Sequence, residues 1–231
     1  MRNGKEKGPP APGTVPRMSA IDGLLEALKA GDVGQVESLL AAEPSLAEAR
    51  KDGVSLLLLA LYHQKPQVAE AFARRRSALD VFEAAALGRV ERLREVLQAQ
   101  PELANAHAPD GFTALGLAAF FGQPEAVGLL LERGAQANTA SRNGLRVTPL
   151  HSAVARRSVE SVHLLLRAGA DPNARQQGGY TPLHGAAAEG DAGLVRLLLG
   201  QGADARAVND KGETPADLAR QKGHAEVARL L

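Results

Sequence analysis

The sequence predicts an all-α solenoid of about seven stacked helix-turn-helix units joined by short hairpin loops. Two observations predict it. The tetrapeptide "TPLH" occurs at Thr148 to His151 and again at Thr181 to His184, and "TPAD" follows at Thr214 to Asp217, so the opening recurs every 33 residues. Nine residues after the threonine stands a glycine, Gly190 after Thr181 and Gly223 after Thr214, followed by an apolar stripe at helical spacing. One such helix pair cannot bury its own stripe, whereas stacked copies bury it against one another.

The same offsets carry the pattern back along the chain. "TALG" at Thr113 precedes Thr148 by 35 residues and has Gly122 nine after it. Gly88 points in the same way to Leu79, Gly31 points to Asp22, and Ser55 lies 33 after Asp22. The units therefore start near 22, 55, 79, 113, 148, 181 and 214. The interval from 55 to 79 is only 24 residues, so a hairpin is missing there and helix should follow helix directly.

Within a unit each element has a local cause. Threonine at the N-cap accepts amide hydrogens of the first turn, and the proline after it has a preset φ and no amide hydrogen to leave unpaired. A short helix runs through "LHGAAAE", where Ala186 and Ala187 let a neighbouring helix approach closely, and Gly190 ends it. The second helix, "AGLVRLLLGQG", carries Leu194, Val195, Leu198 and Leu199 on one face and stops at Gly202. Gly134 and Gly169 close the corresponding helices upstream, and turn-rich stretches such as "DPNARQQGGY" return the chain to the next threonine. Three departures are visible. Arg157 replaces the helix-ending glycine and must either adopt its conformation or end the helix differently, the hairpin "NTASRNGLRV" is two residues longer than its successor and should protrude, and Arg74 to Arg76 place positive charge at a helix C-terminus.

Composition narrows the function classes. At 231 residues and 45% hydrophobic content the chain has ample core material, while aromatics make up only 3% and cysteine is absent. Disulfides, thiolate chemistry and cysteine-based zinc sites are thereby excluded. Twenty-seven basic against 26 acidic residues give no general attraction to nucleic acid or an anionic membrane. The longest apolar run, Val54 to Leu61, is far short of a membrane span. Residues 1–17, with four basic residues against one acidic, read as a disordered tail before an ordered domain over 18–231 that begins at a second methionine, Met18. The expected compartment is the cytoplasm and the expected state a monomer, and abundant alanine, arginine, glycine and leucine suit a GC-rich bacterial genome.

The pattern "DxxGxTPLHxAAxxGxxxxVxxLLxxGADxNA", running from about Gly144 to Leu231 with degraded copies back to Ile21, resembles the ankyrin repeat family. The resemblance implies an L-shaped stack of helix pairs with hairpins projecting to one side, and use as a protein-binding scaffold without catalysis. Regulation or inhibition of an enzyme or toxin is an alternative, and a hydrolytic or metal-dependent enzyme a remoter one. It also implies that Thr148 with His151, and Thr181 with His184, form structural hydrogen-bonded pairs tied to the adjoining repeat.

Reactive readings of these residues fare poorly. Thr181 precedes a proline at a helix cap with its hydroxyl engaged, which disqualifies it as an activated nucleophile. The six histidines show neither an i to i+4 pair nor an HExxH motif, and His107 and His224 read as solvated loop or helix-start residues. Phosphate-binding glycine motifs are missing, and Asn138, Asp171, Asn173, Asp204 and Asn209 are spread among loops whose turns they should hold. No cofactor or metal is expected.

By the resemblance, the positions that meet a partner protein are the two after each pair of alanines and the one before each threonine. Five of the seven aromatics fall in that set: Tyr62, Phe112, Phe120, Phe121 and Tyr180. With His63, Arg146, Arg156 and Glu189 they make up the candidate binding surface. For Phe120 and Phe121 a second reading stands beside it, that they fill the space between repeats left by Gly116. His184→Ala is expected to lower the free energy of unfolding by about 1 to 3 kcal/mol through an unpaired buried partner. Unchanged chemical denaturation of that variant would overturn the structural assignment.

Overall fold

The computed structural model describes residues 20–231. The predicted tail, 1–17, and Met18 lie outside them. Fourteen α-helices among the described residues fall into seven consecutive pairs. These are α1 (Ala20–Ala30) with α2 (Val33–Ala42), α3 (Leu56–Tyr62) with α4 (Pro66–Arg75), and α5 (Val81–Ala86) with α6 (Val90–Ala99). Then come α7 (Ala114–Phe120) with α8 (Pro124–Glu132), α9 (Pro149–Ala155) with α10 (Val159–Arg167), α11 (Pro182–Ala188) with α12 (Ala192–Gly200), and α13 (Pro215–Gln221) with α14 (Ala225–Leu230). The strand content among the described residues is one hairpin of two-residue strands, β1 (Arg50–Lys51) against β2 (Val54–Ser55), antiparallel with Arg50 opposite Ser55. A single bridge between His107 and Thr113 closes the next hairpin.

Ser55, Thr113, Thr148, Thr181 and Thr214 are all N-caps, as the spacing predicts. Two anchors shift. The N-cap near 79 is Asp80, whose carboxylate accepts the amides of Phe82 and Glu83 while Glu83 returns a bond to the Asp80 amide at 3.1 Å. Asp22 lies inside the first turn of α1, because the helix is already formed at Ala20. The threonine hydroxyls also divide by neighbour. Those of Thr113 and Thr214 accept first-turn amides, but those of Thr148 and Thr181 bond the imidazole Nδ1 of His151 and His184, each at 2.8 Å.

Those imidazoles tie one repeat to the next. Nε2 of His151 meets the carbonyl of Tyr180 and Nε2 of His184 that of Glu213, each at 3.1 Å. A carbonyl only accepts, so both rings carry their proton on Nε2 and leave Nδ1 free for the threonine hydroxyl. Asparagines do the same job in the hairpins. Asn105, Asn138 and Asn173 donate from Nδ2 to the carbonyls of Gly134, Gly169 and Gly202 and accept the amides of Gln136, Asp171 and Asp204. His107 and His224, expected to be solvated, are bridges too, to the carbonyls of Ala140 and Ala188. The longer hairpin leaves Leu145 and Arg146 exposed, yet its backbone is laddered to both neighbours, Arg142 to Gly111 and Gln177 to Leu145. Of the two outcomes open to it, Arg157 takes the left-handed helix-ending conformation, φ 58°, and Gln64 does likewise.

The core forms two apolar clusters. One runs from Leu24 to Phe72 with Ala86 and Leu117, the other from Val81 to Val227, and Leu79 and Phe82 pack against both. At this junction α4 passes to α5 without a hairpin, as the short interval predicts. Arg76, expected merely to complement the helix dipole, is instead the C-cap of α4, and its side chain is buried. Its guanidinium lies 2.6 Å from Glu48 and 3.2 Å from Glu83, and bonds the carbonyl of Ala47 at 2.9 Å. Burial, reinforced by the Asp80 charge, pushes the Glu83 carboxyl above its usual range, while the Ser55 hydroxyl, Arg76 and the Asp80 amide oppose the rise.

Two outcomes follow from these buried groups. Arg76→Ala strands Glu83 in the core and should cost about 3 kcal/mol or more in a urea titration, and Glu83→Gln in the same chain should restore part of it. Equal losses with and without Glu83→Gln would mean that the pair does not act as a unit. Burial also holds His151 down at about 4 from 6.5, and His184 is lowered as well. Between those values the unfolded chain binds the proton and the folded chain does not, so the contribution of neutral His151 is complete above about 6.5 and is lost as pH falls towards 4. From His151 alone the loss is roughly 3 kcal/mol, to be read as a falling urea midpoint. A midpoint flat over that interval would contradict the buried neutral imidazole.

Candidate functional site

First helices in this stack are short, and what they leave at their C-terminal ends forms the surface between repeats. Tyr62 is the last residue of α3, Phe120 the last of α7, and Phe121 the C-cap that follows it. Between α3 and α7 lies α5, which ends in Ala86 with Leu87 as its C-cap. The three rings converge over those smaller side chains. Phe120 meets Phe121 edge-on at 5.1 Å, and Tyr62 stands tilted at 5.5 Å from Phe121 and 6.3 Å from Phe120. They line a depression of about 610 Å³ whose far wall is Ala155 and Arg156.

The cluster is anchored rather than loose. The Tyr62 hydroxyl donates to the Asp110 carboxylate at 2.7 Å, and the same carboxylate accepts the Phe112 amide at 3.1 Å. Burial, with the neighbouring carboxylate adding to it, raises the Tyr62 phenol above its usual range, so the ring keeps its proton. Phe121 is half-buried and packs against the N-terminal core, while Phe120 is 41% exposed. Phe121 thus packs between repeats, and Phe120 faces outwards.

Of the other candidates, Arg156 joins the aromatic depression and the rest do not. His63 is exposed and lines a smaller hollow with Lys29, Lys51 and Asp52. Phe112 is half-buried against the N-terminal core. Tyr180 stands edge-on to His184 at 5.8 Å and is half-buried too. Arg146 and Glu189 are exposed, on the long hairpin and at the end of α11, and neither has an ion-pair partner among the described residues. Thr148, His151, Thr181 and His184 are buried and serve the stack. Sequence reasoning missed Asp110, whose partner is 48 residues away, and Gln64, Glu70 and Gln123, which complete the rim. Gln64 and Gln123 carried a signal, the first at the helix-ending position nine after Ser55 and the second immediately after a helix-ending glycine.

Among the described residues, no cluster of three or more histidine, aspartate or glutamate side chains is placed to hold a metal ion, and no helix is long and apolar enough to cross a membrane. What the stacked helix pairs define is an all-α repeat protein of the solenoid type. The chain belongs to the ankyrin repeat family: the family model for ankyrin repeats (3 copies) matches residues 81–176 and 150–231, more than half of the chain. It is 41% identical over 93 residues to a probable E3 ubiquitin-protein ligase, XBOS31, of Oryza sativa subsp. japonica, and 36% identical over 96 residues to BCL-6 corepressor-like protein 1 of Homo sapiens. These matches take in 40% and 42% of the chain but only 20% and 5% of the two relatives.

Proposed function

We propose that the chain binds a partner protein through the ends of its first helices, with the Tyr62, Phe120 and Phe121 cluster at the centre of the contact, and catalyses no reaction itself. The exposed Phe120 in an otherwise aromatic-poor chain carries this reading. Binding hot spots favour large rigid rings in partly enclosed surroundings, whose burial costs little rotamer entropy. The Tyr62 hydroxyl, held by Asp110, supplies such rigidity before a partner arrives. Control of an enzyme or toxin would be one use of this contact, determined by the partner rather than by the stack.

Affinity capture with crosslinking from the native cell tests it. Phe120→Ala should deplete the captured protein by about tenfold or more. Its stability should fall by no more than about 1 kcal/mol, because the ring is 41% exposed and its main loss is the edge-on contact with Phe121. Phe121→Ala should weaken capture too but cost roughly 1 to 3 kcal/mol, since it opens the N-terminal core. Capture unaffected by both substitutions would place the contact elsewhere on the protein.

A further inference from the structure

Positions seven and eight after each N-cap lie in equivalent places on successive repeats, and their chemistry changes along the stack. After Ser55 and Thr113 they are Tyr62 with His63 and Phe120 with Phe121. After Thr148, Thr181 and Thr214 they become Ala155 with Arg156, Ala188 with Glu189, and Gln221 with Lys222. The unit between Ser55 and Thr113 ends its first helix in Ala86 and Leu87 instead, so the surface runs from a half whose rings flank one aliphatic unit to a half with small side chains and single charges of alternating sign. Arg156, Glu189 and Lys222 are exposed, and none has an ion-pair partner among the described residues. The contrast lies next door: Arg157 pairs with Asp191 at 2.9 Å and Arg196 with Glu226 at 3.4 Å.

Arg156 is also held in place. Its stem lies over Gly122, where a Cβ would come within 3.0 Å of Nε and 3.1 Å of Cγ, so the side chain runs along the bare backbone of the preceding repeat to the rim of the aromatic depression. A guanidinium positioned in this way offers two parallel donors to a carboxylate. Packed helices lie about 8 to 10 Å apart, and a chain in the polyproline II conformation advances about 3.1 Å per residue and returns its side chains to one face every third residue. One repeat therefore matches about three residues, one turn, of such a peptide.

We propose that the occupant of this surface is a protein segment in the polyproline II conformation with an apolar side chain on the Tyr62–Phe120–Phe121 cluster, an acidic one about three residues further at Arg156 and a basic one about three further at Glu189. This rests on the reading of the aromatic depression as a binding site and specifies the chemistry of the segment that fills it. The apolar anchor supplies burial, and the alternating charges fix the register and reject segments with the opposite pattern.

The test is selection from a random peptide library displayed on phage, with the full chain as bait, in parallel with R156E/E189R and Phe120→Ala. Peptides recovered on the natural chain should share an apolar, acidic, basic order at three-residue steps, in one chain direction. Those recovered on R156E/E189R should keep the anchor and exchange the two charges. The recovered natural-pattern peptide, labelled with fluorescein, should bind the natural chain about tenfold more tightly than R156E/E189R, and its charge-exchanged counterpart should reverse that order. An unchanged melting temperature certifies that the double variant is folded. Recovery of the same charge pattern on both baits, or of anchored peptides with no charge pattern, overturns the proposed segment and leaves the aromatic site standing. No recovery, or recovery indifferent to Phe120→Ala, overturns the aromatic site and the segment together.

Discussion

No helix pair in this protein can cover its own apolar stripe, so each depends on the pair that follows it, and the bonds between pairs must recur at the repeat length. They do so with little variation. His151 and His184 reach carbonyls 29 residues on, and Asn105, Asn138 and Asn173 reach carbonyls 29 to 31 residues on. The closely packed alanines of the first helices, Ala118, Ala119, Ala153, Ala186 and Ala187, are essentially without exposure. Small side chains bring the helices near enough for those polar bridges to close, and the bridges satisfy carbonyls that close packing would otherwise strand.

Where the interval shortens, that arrangement is replaced by another. The absent hairpin before α5 leaves the N-terminal and C-terminal cores to meet at Leu79 and Phe82, and the buried Arg76 takes over the polar accounting with Glu48, Glu83 and the carbonyl of Ala47. The hairpins on either side close up across the gap: a Cβ on Gly53 would come within 2.9 Å of Pro109. An interior ion pair is weak as a source of stability and strong as a constraint, because either charge alone would be costly to bury. Here it specifies how the two halves of the stack face one another.

The aromatic depression lies beside this junction. Asp110, on the hairpin that has closed the gap, holds the Tyr62 hydroxyl, and α5 supplies the small floor on which Phe120 and Phe121 converge with Tyr62. The irregularity in the repeat and the concentration of aromatics are therefore neighbours in space. A regular stack would offer a more even surface; the shortened unit makes a hollow, and a hollow lined by rings is better suited to enclose a side chain than a flat face.

Much of this was legible in the residues. Threonine, proline and glycine act within a turn of their own helix, so their spacing was enough to locate the helix pairs, the missing hairpin and the family resemblance, whereas which of two endings Arg157 would take was left to the structure. The anchors at 22 and 79 drifted because offsets from a helix-ending glycine carry no information about which nearby side chain caps the start, which Asp80 does with Glu83. What tertiary structure alone decided depends on groups far apart in the chain. Tyr62 and Asp110 are 48 residues apart, Arg76 and Glu48 nearly a whole repeat, and no local rule pairs them. Phe120 and Phe121 are adjacent in sequence, yet one turns to solvent and the other to the core, since successive helical positions point in different directions and only the packed neighbours determine which is covered.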